Sequence, residues 1–261
     1  SEMCIRDRDK MKEKIKYLIN KKSFHICMVI VIVAVILFGL GLIILKYNVE
    51  GETNMPFKLR KVRIVSSSEG VDKDPGENKW SFDINQNNDF YIYIERNNKY
   101  NKQEAIKSIV IDNINVQKNQ EKGVINFYRP NIAEQGGIFS NTEENLIQSI
   151  EYTGAMETDQ KSLKISNQGG LIIFRYANDK IAEYTSNDEE INHMDLLKKS
   201  GVSEDELKAT ITFDLTIKTE SGKEYKSNLS FDMPVEGVVE NGTAAKEITD
   251  LSNIIFKRTK N

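Results

Sequence analysis

The chain has 261 residues, 36 basic and 39 acidic side chains, a formal net charge of −3 and two cysteines. The charge is uneven: residues 1–23 hold eight basic and four acidic groups, net +4, which leaves −7 for residues 24–261. An acidic body of this kind argues against nucleic acid as a partner and does not favour anionic polymers, which select a basic stripe. Cys4 and Cys27 both lie near the amino terminus, so the rest has no disulfide, thiol nucleophile or cysteine metal site.

In chain order, the opening SEMCIRDRDK contains MCIRDR, which resembles translated sequencing-adapter sequence; residues 1–10 are set aside as artefactual, with Met11 the expected initiator. Residues 1–23 then read as a short basic cytoplasmic tail, too small to fold. Phe24–Leu45 follows, 22 residues without a formal charge and with a single weakly polar ring, His25. At about 1.5 Å per residue this is roughly 33 Å of helix, matching a hydrocarbon layer of roughly 30 Å. No face is polar, as an amphipathic core helix would require, so a transmembrane helix is expected over 24–46, with the lipid bilayer as its partner. Lys12, Lys14, Lys16, Lys21 and Lys22 precede it, whereas Glu50 and Glu52 follow and no base appears between Lys46 and Lys58. The positive-inside rule then puts the amino terminus in the cytoplasm and the remainder outside, as a single-pass plasma-membrane protein. No small-x-small site follows the apolar run, which argues against a cleaved signal peptide, and Cys27 sits at the wrong end for a lipoprotein anchor. Gly39 and Gly41 do not form G-x-x-x-G, so helix dimerisation has no support.

Residues 47–56 read as a spacer. Beyond them period-two alternation predicts strands at 58–66, 80–84, 89–95, 106–117, 123–128, 146–152, 162–166, 170–176 and 180–185, with SSSEGVDKDPGENK between the first two as a loop. The stretch 188–201 predicts a helix closed by Gly201, and Ser203 with Glu206 a capping box opening one more turn. Ile211, Phe213, Leu215 and Ile217 alternate strictly and are followed by Tyr225, Leu229, Phe231 and Met233, which predicts a hairpin around Ser221 and Gly222. The fold class expected is therefore mainly β: one transmembrane helix, then an antiparallel β-sandwich over 57–240 with a small helical insertion near 188–207. Residues 241–261 are a segment packing on the sandwich. Immunoglobulin-like architecture is open, without the Cys…Trp…Cys signature.

Candidate chemistry is thin. His193 is the one histidine outside the span, it lies in a helical stretch, and no G-x-S-x-G elbow accompanies it. One histidine and no cysteine exclude a catalytic zinc outside the membrane. Asp83, Glu95 and Asp214 fall on outward strand positions, where a solvated face explains them better than a glycosidase pair. Calcium loops are conceivable at Asp72, Asp74 and Glu77, at Asn87 and Asp89, and at Asn187 to Glu190, although none has EF-hand register and the last equally suits a helix amino terminus. EQGGIF at 134–139 and NQGGLI at 167–172 lack the following helix of a phosphate loop and read as turn glycines opening strands. No catalytic, cofactor-binding or metal residue is assigned, and no cofactor is expected.

The stretch ISNQGGLIIFRYANDKIAEYTSNDEEINHMDLLKKSGVSEDELKATITFDLTIKTESGKEYKSNLSFDMPVEGVVENG, with the basic tail and single span, resembles a group of uncharacterised single-span envelope proteins of low-GC Gram-positive bacteria. The resemblance runs from about residue 11 to the end and implies a short internal tail with a large outside domain; it carries no activity over. The function expected is a membrane-tethered, non-catalytic binding or structural domain meeting an envelope protein or polymer. A sensory or accessory subunit of a membrane complex, and a carboxylate-pair hydrolase, are the alternatives.

Overall fold

The structure is a computed structural model; it describes residues 11–14, 16–17, 22–48, 55–131, 137–156, 158 and 162–260. Residues 1–10 and most of the expected spacer lie outside these. The chain divides into an N-terminal unit ending at Asn48 and a second unit comprising the rest.

In the first unit, helix α1 spans Lys22–Asn48, 27 residues, or about 40 Å. None of the 19 residues His25–Ile43 is buried, and by length and composition this helix is apolar enough to cross a membrane. Its run of Val and Ile is unusual for a water-exposed helix but suits lipid, where backbone hydrogen bonds must close within the segment.

The second unit is a β-sandwich. In chain order its strands are β1 Phe57–Asp72, β2 Trp80–Arg96, β3 Ile106–Lys118, β4 Val124–Tyr128, β5 Ile150–Gly154, β6 Leu163–Ile165, β7 Gly169–Ser186, β8 Ala209–Thr219, β9 Glu224–Asp232, β10 Thr243–Ile248 and β11 Lys257–Lys260. Sheet A has the order β10-β1-β2-β7-β4 and sheet B the order β11-β9-β8-β3-β5-β6. All pairs are antiparallel except β5 with β6, which run parallel through three rungs from Tyr152↔Leu163 to Gly154↔Ile165. Sheets of five and six strands also exceed the four and three of an immunoglobulin constant domain.

Several expected boundaries move. The strands at 80–84 and 89–95 are one strand, β2, and those at 170–176 and 180–185 are one strand, β7. The serines of the expected loop belong to β1, where Ser66 to Ser68 pair with Asn88 to Gln86. Cross-strand polar pairing replaces apolar alternation there, so period two in hydrophobicity vanishes although the strand continues. The C-terminal segment is woven into both sheets: β10 lies beside β1 and β11 beside β9. Met55, placed in the spacer, is buried, and its carbonyl accepts from Asn97 Nδ2 at 2.8 Å. Gly169 opens β7 at φ +115°, and a Cβ there would stand 2.5 Å from the Ile94 carbonyl oxygen, as expected of a glycine starting a strand. Gly136 of the other pair lies outside the described residues, and Gly137, contrary to expectation, opens no strand.

The main core lies between the sheets. Phe90 and Phe174 stack at 4.7 Å from sheet A, and Phe213 of sheet B meets Phe174 edge-on at 5.3 Å. A second core forms where Phe82, Ile84 and Ile181 meet the helical insertion. That insertion is shorter than expected: a 3₁₀ turn His193–Asp195, α2 Leu196–Lys199 and α3 Glu204–Leu207, with a further turn, α4, at Val238–Asn241. Gly201 does supply the left-handed stop at φ +72°, and the Ser203 amide donates to Glu206 Oε2 at 2.8 Å in the capping box. Along β1, β2 and β7 the two cores are separated by a buried polar layer of Ser66, Gln86, Asn88 and Asn178. Lys118 Nζ crosses from β3 to donate to Asn178 Oδ1 at 3.1 Å.

Tyr152 ties the sheets together at another point. β4 pairs with β7 only from Arg175 to Asp179, which leaves the Ile173 backbone open at that edge. The Tyr152 hydroxyl fills the gap, donating to the Ile173 carbonyl at 2.6 Å and accepting from its amide at 3.0 Å. Tyr152→Phe should therefore cost about 1–2 kcal/mol, since two backbone groups lose their partner. A lowered urea midpoint with faster exchange of the Ile173 amide checks this.

At the β8–β9 turn, Ser221 Oγ donates to Glu104 Oε2 at 2.7 Å, and Lys223 pairs with the same carboxylate; their side chains are 19% and 6% exposed for lysine and glutamate. Burial opposes ionisation of Glu104, but hydrogen bonds from Lys223 and Ser221 outweigh it and hold the carboxyl below its ordinary 4.5. Lys223, conversely, is raised above 10.5 against the same opposition from burial. A lowered carboxyl contributes stability above its unfolded pKa and loses it as pH falls through the folded one; a raised amine loses its contribution as pH rises past its folded value. The stability gap between wild type and Glu104→Gln should be flat near neutrality and close below pH 4.5, as urea titrations in a pH series would read.

Candidate functional site

The outward face of sheet A carries the densest polar organisation in the second unit. Across it run the rows Arg63↔Tyr91↔Ile173, Val65↔Asp89↔Arg175 and Ser67↔Asn87↔Ala177. Phe90 and Phe174 between these positions point to the core, so Asp89 and Arg175 point away from it. Arg175 clamps Asp89 with both arms, Nε to Oδ1 at 2.6 Å and Nη2 to Oδ2 at 3.1 Å. The pair is nevertheless only 12% and 14% exposed, because the chain after β4 folds back over it. Phe139 lies 4.6 Å beneath the guanidinium, and Asn141 Oδ1 accepts from Arg175 Nη1 at 2.9 Å. That returning chain is pinned to β4 by the Ile147 amide on the Phe127 carbonyl at 2.9 Å and by Arg129 Nη2 on the Glu144 carbonyl at 3.1 Å.

Asn141 passes the network on, its Nδ2 donating to Asn87 Oδ1 at 3.0 Å and reaching Asp179 Oδ1 at 3.4 Å. Asp179 also accepts from Asn126 Nδ2 at 2.8 Å and the Tyr128 hydroxyl at 2.9 Å. Burial first, and the neighbouring Asp179 second, push the Tyr128 phenol far up, so it stays a proton donor. Asn87 Nδ2 closes the other end on Glu69 Oε2 at 2.6 Å.

Next to Asp179 the ladder breaks. Ile84 pairs with Ala182 and Gln86 with Asn178, so Asn85 alone faces three residues of β7. Lys180 takes φ +57° there, and its amide donates to Asn85 Oδ1 at 2.9 Å. A bulge of this kind re-aims side chains. Here Asp179 and Lys180 border a cavity of about 360 Å³, lined also by Asp83, Asn85, Asn126 and Asn141 and by the apolar Val71 and Val124. Lys73 Nζ lies 3.0 Å from Asp83 Oδ1 and Lys180 Nζ 3.5 Å from its Oδ2. Burial opposes ionisation of Asp83, but the Lys73 hydrogen bond outweighs it and holds the carboxyl below its usual range. A second cavity, about 450 Å³, lies between Met55, Phe57, Leu59, Leu251 and Phe256. On its rim Glu95 lies 3.1 Å from Lys58 Nζ and 3.9 Å from Arg60 Nε.

The residues singled out in the sequence do not converge. His193 meets the Phe82 ring edge-on at 5.4 Å, a packing contact. Asp83 and Glu95 stand at opposite ends of β2, about 40 Å apart at strand rise, and Asp214 is on sheet B, bonded to Asn113, Asn228 and Lys226 at 2.8, 2.8 and 2.9 Å. Of the calcium candidates, Asp72, Asp74 and Glu77 are exposed around a turn, Asp89 is spent on Arg175, and Asn187 Oδ1 accepts from the Lys79 amide at 2.8 Å. Among the described residues no three His, Cys, Asp or Glu are grouped to hold a metal. Sequence reasoning missed Arg175, Asn126, Asn141, Asp179 and Lys180; the available signal was the run NQNND inside an otherwise apolar alternation.

Fold and site together define an apolar N-terminal helix joined to a two-sheet β-sandwich. Comparison with protein-family models, with curated proteins and with solved structures finds no match to this chain.

Proposed function

We propose that α1 anchors the chain in the plasma membrane with its amino terminus inside, and that the sandwich works outside the cell as a non-catalytic binding domain through the outward face of sheet A. The observation that carries this is the roofed network Asp89–Arg175–Asn141–Asp179. An outward sheet face is ordinarily left to water, yet here charged groups are desolvated and fixed by one another, at a cost that hydrogen bonding only offsets. The roofing chain is thereby held rigidly on sheet A, and the neighbouring row of Arg63, Tyr91 and Ile173 is left for a partner to meet. Hydrolysis by a carboxylate pair asks for one carboxyl kept protonated; here Asp83 sits between two lysines, Asp89 takes two bonds from Arg175 and Asp179 accepts from three donors. The lysines before α1 support the orientation, as does the resemblance to single-span envelope proteins.

The test uses intact cells. A photo-reactive side chain at Tyr91, half-buried on the unroofed part of this face, should yield a discrete adduct, while the same group at Lys226 on sheet B yields none. Added protease should remove the sandwich without permeabilisation. A sandwich that survives until the cells are permeabilised, or equal labelling from both positions, overturns the reading.

A further inference from the structure

The geometry points to the cavity beside the β7 bulge as a binding site for a neutral, hydroxyl-rich ligand, one or two sugar rings of a glycan; this rests on the reading of sheet A as the contact face. The cavity's charges are already answered. Asp83 lies between Lys73 and Lys180, and Asp179 accepts from Asn126, Tyr128 and Asn141. An added cation meets the two lysines, an added anion the two carboxylates, so neither is favoured. What stays unspent is neutral. Asn85 is 6% exposed, and its Oδ1 is used by the Lys180 amide, but its Nδ2 has no partner among the described residues; nor has Asn126 Oδ1.

One amide donor and one amide acceptor facing the same space match a hydroxyl group, which both accepts and donates. Neither atom is sealed from solvent, so water meets both until a ligand hydroxyl replaces it. The walls supply the second half of the match. Val71 and Val124 are 44% and 57% exposed, which is unusual for valines flanking a polar floor. Sugar rings present hydroxyls at their edges and C–H groups on their faces, so an amide floor between apolar walls meets both surfaces. About 360 Å³ is at the lower end of small-molecule sites, roughly 300–1,000 Å³, and suits one or two rings.

The experiment uses the full chain in lipid nanodiscs, free of glycoside detergents, with chitotetraose, cellotetraose and maltotetraose as neutral probes and tetragalacturonate as the anionic one. Saturation-transfer NMR should show a neutral tetraose binding with a Kd on the order of 1 mM, as so few hydrogen bonds provide. Val124→Asp and Val71→Asp sit at exposed positions, so each should keep the wild-type melting temperature yet weaken binding about tenfold or more. The proposal is overturned if no neutral tetraose binds up to about 10 mM, if tetragalacturonate binds better, or if both variants bind undiminished. Should the sugars fail while Tyr91 still yields its adduct, the contact face stands and only the ligand class falls. Loss of both removes both.

Discussion

Replacing Phe213 with alanine is expected to lower the stability of the sandwich by about 4 kcal/mol, within the range for removing a fully buried phenylalanine. Its ring has no exposure and lies 5.3, 6.0 and 6.1 Å from those of Phe174, Phe231 and Phe90, so it joins the facing sheets at the centre of the main core. Alanine leaves a void bounded by rigid strands on both sides, which relax little. For a unit of this length the melting temperature should fall by roughly 8–16 °C. Phe213→Leu keeps most of the volume and should cost about 1.5 kcal/mol or less. The single tryptophan, Trp80, provides the readout from the other core, where it packs on Phe82 at 6.1 Å. If the polar layer between the cores transmits cooperativity, Trp80 fluorescence and far-UV circular dichroism will shift by the same amount. Separate midpoints would mean that Gln86, Asn88 and Asn178 divide the sandwich into two folding units.

The parts of this fold that are legible in the sequence are those where one strand face is dry and the other wet. Ile211 to Ile217 opposite Tyr225 to Phe231 is such a case, and the observed register, Ile211↔Phe231 and Phe213↔Leu229, follows from it. Helix α1 is equally legible, because 22 successive residues without a formal charge leave no polar face to confuse its reading. Where both faces are polar the signal disappears, although backbone hydrogen bonds continue. Ser66 to Ser68 and Asn85 to Asn88 read as loops for that reason, yet they pair rung for rung inside sheet A. The helix expected from 188 begins only at His193, since its first residues are held instead by β2: Trp80 Nε1 donates to the Asp188 carbonyl at 3.0 Å and the Lys79 amide to Asn187 Oδ1 at 2.8 Å. Tertiary partners outbid helix propensity for those acids.

The candidate site was hidden by the same physics. Its members come from β1, β2, β4, β7 and the chain returning from β4, spread from Glu69 to Lys180, and no spacing rule links them. Asparagine also carries little one-dimensional information, since it is as common in turns as in buried networks. Only the topology makes neighbours of Asn87, Asn141 and Asp179, by laying β7 between β2 and β4. The one local clue was NQNND, five polar residues between Ile84 and Phe90. Buried polar runs inside a strand are rare enough to mark a site.

Arg175→Ala is the sharpest test of that network and should cost about 3 kcal/mol, because it strands a desolvated Asp89 without its partner. The guanidinium makes three contacts at once: Asp89 through two bonds, Asn141 through a third, and the Phe139 ring beneath it. Arg175→Lys offers one compact charge where a planar fork is needed, so it should recover only part of the loss. In a double-mutant cycle, Arg175→Ala with Asp89→Ala should be less destabilised than the sum of the single changes by about 2 kcal/mol, since removing both leaves no buried charge unpaired. Amide exchange at residues 137–149 separates an organising role from simple surface pairing. If Arg175 holds the returning chain over sheet A, those amides lose protection in Arg175→Ala by more than the global loss of stability accounts for. They should lose it too in Asn141→Ala, which leaves the ion pair whole but cuts the chain's bonds to Arg175, Asn87 and Asp179. A cost below about 0.5 kcal/mol with unchanged protection would put Arg175 and Asp89 among ordinary exposed ion pairs, and the face would lose the preorganisation on which the proposed binding role depends.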